Sequence, residues 1–330
     1  MWYLNLGPSG DTVLSSRVRL ARNINKIPFG KKITDHTYEY IEKECKKALP
    51  DLKFIDLSLM PDTEKLALKE CHLISPEIAA SQHRCSILVN TDCTVSVMLG
   101  EEDHIRIQSM CPGFDLKACL DKANEIDDRL EEKIDFAFSE KFGYLTCCPT
   151  NTGTGLRASV MMHLPALSYL GSMESIIRSL SKLGIVVRGI YGEGSLALAN
   201  IYQISNQVTL GMSEKDSIEK LENIVNDLVE KERAANSSLM TKMPFQLEDK
   251  VMRAKGILKN ARIITSTEAL NLISDVRWGI NLGIIKDITH EKLLSAFYFS
   301  LPANIEKKFN TVTPMERDLK RSEIFKEYLN

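Results

Sequence analysis

The sequence predicts an α+β fold: a domain built on an antiparallel sheet flanked by helices, followed by a helical domain. Three observations carry this. Short apolar runs alternate with a period of two and come in pairs joined by turn residues, as hairpins do. Helical spacing falls between groups of strands and not after every strand, which argues against a doubly wound parallel sheet. Beyond residue 245 the pattern is helical almost throughout.

Along the chain, Leu14 to Leu20 alternates as a strand, with Ser15, Arg17 and Arg19 on one face and Ser16 and Val18 on the other. Residues 85–90 and 94–99 read as a hairpin turning at Thr91-Asp92, and a third strand follows from His104 to Ser109. Apolar residues at 116, 119, 120, 123, 126, 130, 134 and 138 keep helical spacing and predict one long helix. Helices are expected at 173–183 and 217–234, and short strands at 185–191 and 200–210. The small, polar stretch Ala234-Ala235-Asn236-Ser237-Ser238 follows a strong helix and reads as a domain boundary continuing to Pro244. This gives a catalytic domain over 1–235 and a helical domain over 246–330, with helices at 247–259, 267–280, 290–300 and 316–328.

Composition narrows the function. The net charge of -2 gives no reason to expect nucleic acid or an anionic membrane as partner. No apolar run approaches the length of a membrane span, and the start lacks a signal segment. The eight cysteines are scattered without a CxxC pair, so reduced thiols and a cytoplasmic location are expected, with no resident metal.

Several short segments could carry chemistry. Cys148-Pro149-Thr150-Asn151-Thr152-Gly153-Thr154-Gly155-Leu156-Arg157 joins a thiol, a glycine-bearing turn and an arginine. A buried inert thiol is the commoner role for a cysteine. In Gly100-Glu101-Glu102-Asp103-His104-Ile105-Arg106-Ile107, a period of two puts Glu102, His104 and Arg106 on one face. Taken alone, that is the pattern of a solvated face. Arg17 and Arg19 share a face and repel unless an anion joins them. Arg188-Gly189-Ile190-Tyr191-Gly192-Glu193-Gly194 sets glycines around a glutamate, without a Walker A or dinucleotide signature. Arg317 and Arg321 stand four apart on a helix, where two forks could hold a phosphate group.

Taken together and in this order, the segments resemble the ATP:guanidino phosphotransferase family, which includes creatine and arginine kinases. The likeness rests on Ser15 to Arg19, Glu101 to Arg106, Phe142-Gly143-Tyr144-Leu145-Thr146, Cys148 to Ser159, and Arg188-Gly189. It implies the phosphagen kinase/glutamine synthetase-like catalytic fold. The small-guanidine kinases carry a helical domain ahead of the Ser-Ser-Arg-Val-Arg strand, whereas fourteen residues precede Ser15 here. The helical region after 245 is instead similar to that of bacterial protein-arginine kinases. Their Arg-Asp-x-x-Arg-Ala motif is matched by Arg317-Asp318-Leu319-Lys320-Arg321, with Ser322 in place of Ala. Met161, where small-substrate kinases commonly have a histidine, points the same way.

The resemblance implies transfer of the ATP γ-phosphoryl group, with Mg²⁺, to arginine side chains in proteins. It assigns catalytic roles to Glu102, Glu193 and Cys148. The nucleotide site would draw on Ser15, Ser16, Arg17, Val18, Arg19, His72, Arg106, Arg157, Ala158, Ser159, Val160, Met161, Arg188, Gly189, Ile190, Tyr191, Gly192 and Glu193. Arg317, Asp318 and Arg321 would bind phosphoarginine. A stress-response setting follows by the same likeness, with a Clp-type ATPase and protease, an activator protein, a transcriptional repressor and a phosphoarginine phosphatase as partners, and with a homodimer as an option. The alternatives are a kinase for free arginine or another small guanidine, and an inactive phosphoarginine-binding adaptor.

Overall fold

The computed structural model describes residues 2–30, 33–189, 198–310 and 313–330. Its strands are β1 (Val13–Arg22), β2 (Lys53–Asp56), β3 (Ser86–Val89), β4 (Val95–Leu99), β5 (Ile105–Pro112), β6 (Phe138–Ser139), β7 (Gly143–Tyr144), β8 (Leu156–His163), β9 (Ile185–Gly189) and β10 (Ile201–Asn206). Its helices are α1 (Asp35–Ala48), α2 (Asp62–Glu70), α3 (Pro76–Ala79), α4 (Leu116–Glu131), α5 (Pro165–Tyr169), α6 (Met173–Lys182), α7 (Glu214–Lys242), α8 (Pro244–Asn260), α9 (Ser266–Asn281), α10 (His290–Phe299), α11 (Pro302–Phe309) and α12 (Pro314–Leu329). The large sheet runs β2-β3-β4-β5-β1-β8-β10-β9, and β6 and β7 form a separate ribbon. The fold is α+β, as the sequence predicts.

The chain divides into two compact units. The first takes in Trp2, Ser15–Val160 and Ser205–Asn223, and the second Tyr3–Leu14, Met161–Ile204 and Ile224–Asn330.

In the first unit, β1, β3, β4 and β5 are joined antiparallel to their neighbours, with Arg19 opposite Gln108 and Ala21 opposite Arg106. Residues directly opposite share a face. One face of β1 and β5 therefore carries Arg17, Arg19, Arg106 and Gln108. The other carries Ser16, Val18, Leu20 and Ile107, all buried, with α4 packed against β5. Helix α4 starts on Asp115, whose side chain accepts the Ala118 N–H at 2.9 Å. It ends at Glu131, so the single helix expected to reach Phe138 is shorter, and Phe138 enters β6.

Arg22, at the end of β1, is fully buried. It donates to Asp127 on α4, with Nη2 at 2.6 Å from Oδ2, and its guanidinium lies 3.6 Å over the Tyr144 ring. Its remaining donors reach the carbonyls of Ala21 and Thr154, each at 3.0 Å.

In the second unit, α8, α9, α10 and α12 enclose a core that includes Val251, Leu258, Val276, Leu293, Phe325 and Leu329. Three of these helices begin on threonine caps: Thr265, Thr289 and, with a full capping box to Glu316, Thr313. The N-terminal segment belongs to this unit. Arg277 donates to the Gly10 carbonyl at 2.5 Å, Asn281 to that of Asp11 at 2.6 Å, and Arg233 grips the Asp11 carboxylate through two bonds of 2.8 Å.

The stretch read as a boundary is helical rather than a loop. Ala234 to Ser238 lies inside α7, which continues to Lys242 before Pro244 opens α8. Asn236 is polar for a packing reason, since its carbonyl accepts the buried Trp278 indole N–H at 2.7 Å.

Removing one member of a buried ion pair leaves the other charge uncompensated, at a cost of about 3–5 kcal/mol. Asp127→Ala should therefore lower the urea midpoint of the first unit by that equivalent. A midpoint within error of the parent would show that Arg22 is satisfied without its carboxylate.

Candidate active site

Four guanidinium groups gather on the open face of the first unit. Arg17 and Arg19 stand two apart on β1, Arg106 lies diagonally across on β5, and Arg157 projects from the neighbouring β8. Arg17 Nε donates to the Ser159 hydroxyl at 3.3 Å, which ties β1 to β8 on this face. The Arg19 Nε is buried and has no hydrogen-bond partner among the described residues. Burial first, then the Arg157 and Arg106 charges, push Arg17 down to about 10. Arg19 is held well below the ordinary guanidinium value by burial and by Arg17, Arg106 and Arg157, with Glu101 pulling the other way. Guanidinium groups stay protonated in proteins, so like charge is concentrated on this face, an arrangement suited to a polyanion.

Two carboxylates border this face. Glu101 is buried and accepts from Arg106 Nη1 at 2.5 Å, while the half-exposed Glu102 lies 3.7 Å from Arg106 Nη2. Partial burial and then Asp103 raise the Glu102 carboxyl above its ordinary value, with Arg106 opposing. Glu102 precedes β5, and His104 is wholly buried, bonded to Ile24 N and Pro28 O at 3.0 Å each. The sequence reading that set Glu102, His104 and Arg106 on one strand face is thus corrected: the strand starts only at Ile105, and His104 turns inward.

Sequence reasoning missed the group that places Glu102. The buried Asp103 accepts from Asn23 Nδ2 at 2.6 Å and from Cys147 N at 2.7 Å, and Asn23 also accepts from His104 N at 2.9 Å. One carboxylate thereby clamps the Glu102 loop to the Cys147-Cys148 loop. Asp103 stood in the matched Glu-Glu-Asp-His run, but nothing in its spacing announced the role.

The turn that leads into β8 carries Cys148, Gly153 and Gly155. Cys148 is partly exposed, its Sγ 2.9 Å from Thr150 Oγ1, and its carbonyl accepts from Thr146 Oγ1 at 2.8 Å. The glycines serve close backbone approach. Gly155 has φ +66°, and a Cβ there would meet Ala21 O at 2.6 Å; Gly153, at φ +120°, abuts the Thr209 carbonyl. Thr209 Oγ1 closes the turn by donating toward the Thr152 and Thr150 carbonyls at 2.7 and 2.9 Å.

The remaining residues of the expected nucleotide site divide between the two sheet faces and the two units. Ser16 and Val18 are buried on the reverse face, where Ser16 Oγ donates to Gly113 O at 2.9 Å and accepts from Asp115 N at 3.0 Å. The Ala158 and Val160 side chains are also fully buried, and Ala158 N donates to Asn206 Oδ1 at 2.8 Å. Strand alternation excludes these four side chains from the arginine face. Ser15 shares that face with Arg17. His72, in the first unit, adopts a left-handed φ of 61°, its carbonyl accepts from Gln108 Nε2 at 2.7 Å, and the surrounding protein and Arg17 lower its imidazole pKa. Met161, Arg188 and Gly189 belong to the second unit. Ile190, Tyr191, Gly192 and Glu193 lie outside the described residues.

In the C-terminal helices, Arg321 is not one of two parallel forks. It is buried, donating to Ser300 O at 3.0 Å, to Ile264 O at 2.9 Å and to Asp318. Arg317 is partly exposed, 3.8 Å from Glu306. Ser322, also buried, is 2.7 Å from Arg262 O.

Comparison with known proteins is decisive at this point. The ATP:guanido phosphotransferase C-terminal catalytic domain matches residues 32–235, and the protein-arginine kinase McsB C-terminal domain matches 244–330. The chain belongs to the ATP:guanido phosphotransferase family. A protein-arginine kinase of Halothermothrix orenii is 44% identical over 335 residues, covering 100% of this chain and 96% of that protein. One of Bacillus pumilus is 46% identical over 99% of this chain and 93% of its own length. Among solved structures, lombricine kinase aligns with a TM-score of 0.61 at 28% identity, over 69% of this chain and 68% of that one. A duplicated taurocyamine kinase from Schistosoma mansoni aligns with a TM-score of 0.62 at 26% identity, over 82% of this chain and 40% of that one. As a family member, the chain uses ATP as its phosphoryl donor.

Two outcomes follow from this geometry. Arg19→Gln relieves repulsion, so its melting temperature without ligand should equal or exceed the parent's, while stabilisation by ATP or inorganic triphosphate weakens about tenfold or more in apparent affinity. A less stable variant with unchanged triphosphate affinity would contradict the anion face. Arg321→Ala should cost about 2–4 kcal/mol in chemical denaturation and Arg317→Ala at most about 0.5. Equal losses would overturn the inward placement of Arg321.

Proposed function

We propose that the chain is a protein-arginine kinase, which transfers the γ-phosphoryl group of Mg·ATP to the guanidinium of arginine side chains in proteins. The observation that carries this reading is the four-arginine face with Glu102 at its edge, in a chain that full-length protein-arginine kinases match from end to end.

The chemistry suits those groups. Phosphoryl transfer needs alignment and neutralisation of the phosphate charge more than covalent help. Arg17, Arg19, Arg106 and Arg157 supply a preorganised cationic surface for the phosphate oxygens. Among the described residues there is no cluster of three or more His, Cys, Asp or Glu that could hold a metal. In this reading Mg²⁺ enters as part of the Mg·ATP substrate, carried on phosphate oxygens.

The acceptor nitrogen is the harder part. A guanidinium is protonated and its lone pairs are delocalised. Glu102 grips it through charge-assisted hydrogen bonds and takes one N–H proton as the N–P bond forms and the bond from γ-phosphorus to the ADP oxygen breaks. Its raised pKa moves the carboxylate toward the basicity such a role needs. Cys148, held beside Thr150, orients the guanidinium. A second carboxylate from Glu193 and the contacts of Arg188, Gly189, Ile190, Tyr191 and Gly192 rest on the family resemblance alone. So does a phosphoarginine site at Arg317 and Asp318, from which the buried Arg321 is withdrawn as a direct ligand and kept as a support.

A cytoplasmic setting in the stress response also rests on that resemblance, as do a Clp-type ATPase and protease, an activator, a repressor, a phosphoarginine phosphatase and a homodimer. Among the described residues no helix is long and apolar enough to cross a membrane. A kinase acting on free arginine is the competing reading.

Labelled ATP and Mg²⁺, offered with casein or with free arginine, separate the two. Acid-labile label on casein is expected; label on free arginine alone would refute the protein-kinase reading. Glu102→Gln should cut transfer at least about a hundredfold while ATP still binds. Glu102 acts only when ionised, so activity should be present above its raised pKa and lost as pH falls through it, beginning at a higher pH than an ordinary glutamate would give. A pH–rate profile of kcat flat through that range would remove Glu102 as the base.

A further inference from the structure

All eight cysteines are unbridged, yet two of them converge on one residue. Cys111, on β5, stands directly opposite Ser16 in the β1–β5 ladder. Cys119, in the first turn of α4, donates its thiol to the Ser16 carbonyl at 3.4 Å. From strand and helix the two thiols are thus brought to the same residue, Ser16, and interact electrostatically. Cys119 is fully buried, whereas Cys111 is partly open. Directly paired residues share a sheet face, so the pair lies on the reverse face from Arg17, and the phosphoryl-transfer reading gives it no part.

We propose that Cys111 and Cys119 are a reversible redox site, a dithiol closed to a disulfide by a hydroperoxide or a small-molecule disulfide and reopened by a dithiol reductant. Cys111 paired to Ser16 and Cys119 bonded to its carbonyl place one thiol on each side of the same residue, from which side-chain rotation brings sulfur to sulfur. The two have distinct roles. Cys111 is accessible and is the attacking sulfur. Cys119, sealed in the core, is the resolving sulfur.

With a hydroperoxide, the Cys111 thiolate attacks the distal oxygen; the S–O bond forms, the O–O bond breaks, and the alcohol or water leaves. Cys119 then loses its proton and attacks the Cys111 sulfur; the S–S bond forms, the S–O bond breaks and water leaves. The sum removes two electrons from two thiols and reduces one peroxide. With a small disulfide, Cys111 forms the mixed disulfide first, and Cys119 displaces the small thiol. Cys119 has no route to an external oxidant except through Cys111, and this gives the proposal a sharp signature.

Full-length protein is treated with substoichiometric hydrogen peroxide or oxidised glutathione, its remaining thiols are alkylated, and peptides are mapped without reduction. A Cys111–Cys119 linked peptide is expected, and dithiothreitol should abolish it. In Cys111→Ser, whose partly open position tolerates a hydroxyl, Cys119 should stay reduced under the same treatment. Cys111 carrying a single adduct with Cys119 still reduced, either of them linked to another cysteine, or oxidation of Cys119 in Cys111→Ser, would each overturn the proposal.

Discussion

The first unit is organised around an electrostatic conflict. Arg17, Arg19, Arg106 and Arg157 lie on one sheet face, and burial, with the neighbouring charges added, depresses the pKa of the two on β1. Left alone, such a cluster opposes folding. The fold resists it with interactions behind and beside the face. The Arg22–Asp127 pair pins β1 to α4, an apolar layer fills the reverse side, and Glu101 covers Arg106. In the proposed function a bound polyphosphate converts that repulsion into affinity, so the feature that weakens the empty protein would also select its ligand.

The same constraint explains the shape of the loops. In the proposed mechanism a phosphoryl acceptor approaches the cationic face beside a carboxylate, and Asp103 is what sets that carboxylate. By accepting from Asn23 and from Cys147 N, Asp103 ties the loops of Glu102 and Cys148 together. Gly153 and Gly155 then act as packing residues. Their lack of a side chain lets the turn before Arg157 press on the backbones of β1 and of Thr209, which sets where the arginine emerges.

Much of this was legible in the sequence because strands reveal themselves locally. A period of two placed Arg17 and Arg19 together and Ser16 and Val18 behind them, and the structure keeps that division. What escaped depends on partners remote in sequence. Asn236 looked like linker because its polarity is answered by Trp278, 42 residues on. Arg321 looked like an exposed fork because helical spacing says nothing of which face turns toward Ser300 and Ile264. His104 looked like the middle of an exposed strand face because the strand begins one residue later. The Cys111–Cys119 contact crosses from strand to helix, a meeting that no CxxC spacing could announce.

The central claim is that the arginine face exists to hold a nucleotide's phosphate chain. Calorimetric titration with AMP, ADP and ATP, each with Mg²⁺ at one fixed ionic strength, tests it most directly. The account predicts that AMP binds at least about tenfold more weakly than ADP and ATP, since it cannot reach the arginines with a β- or γ-phosphate. AMP binding as tightly as ATP would contradict it.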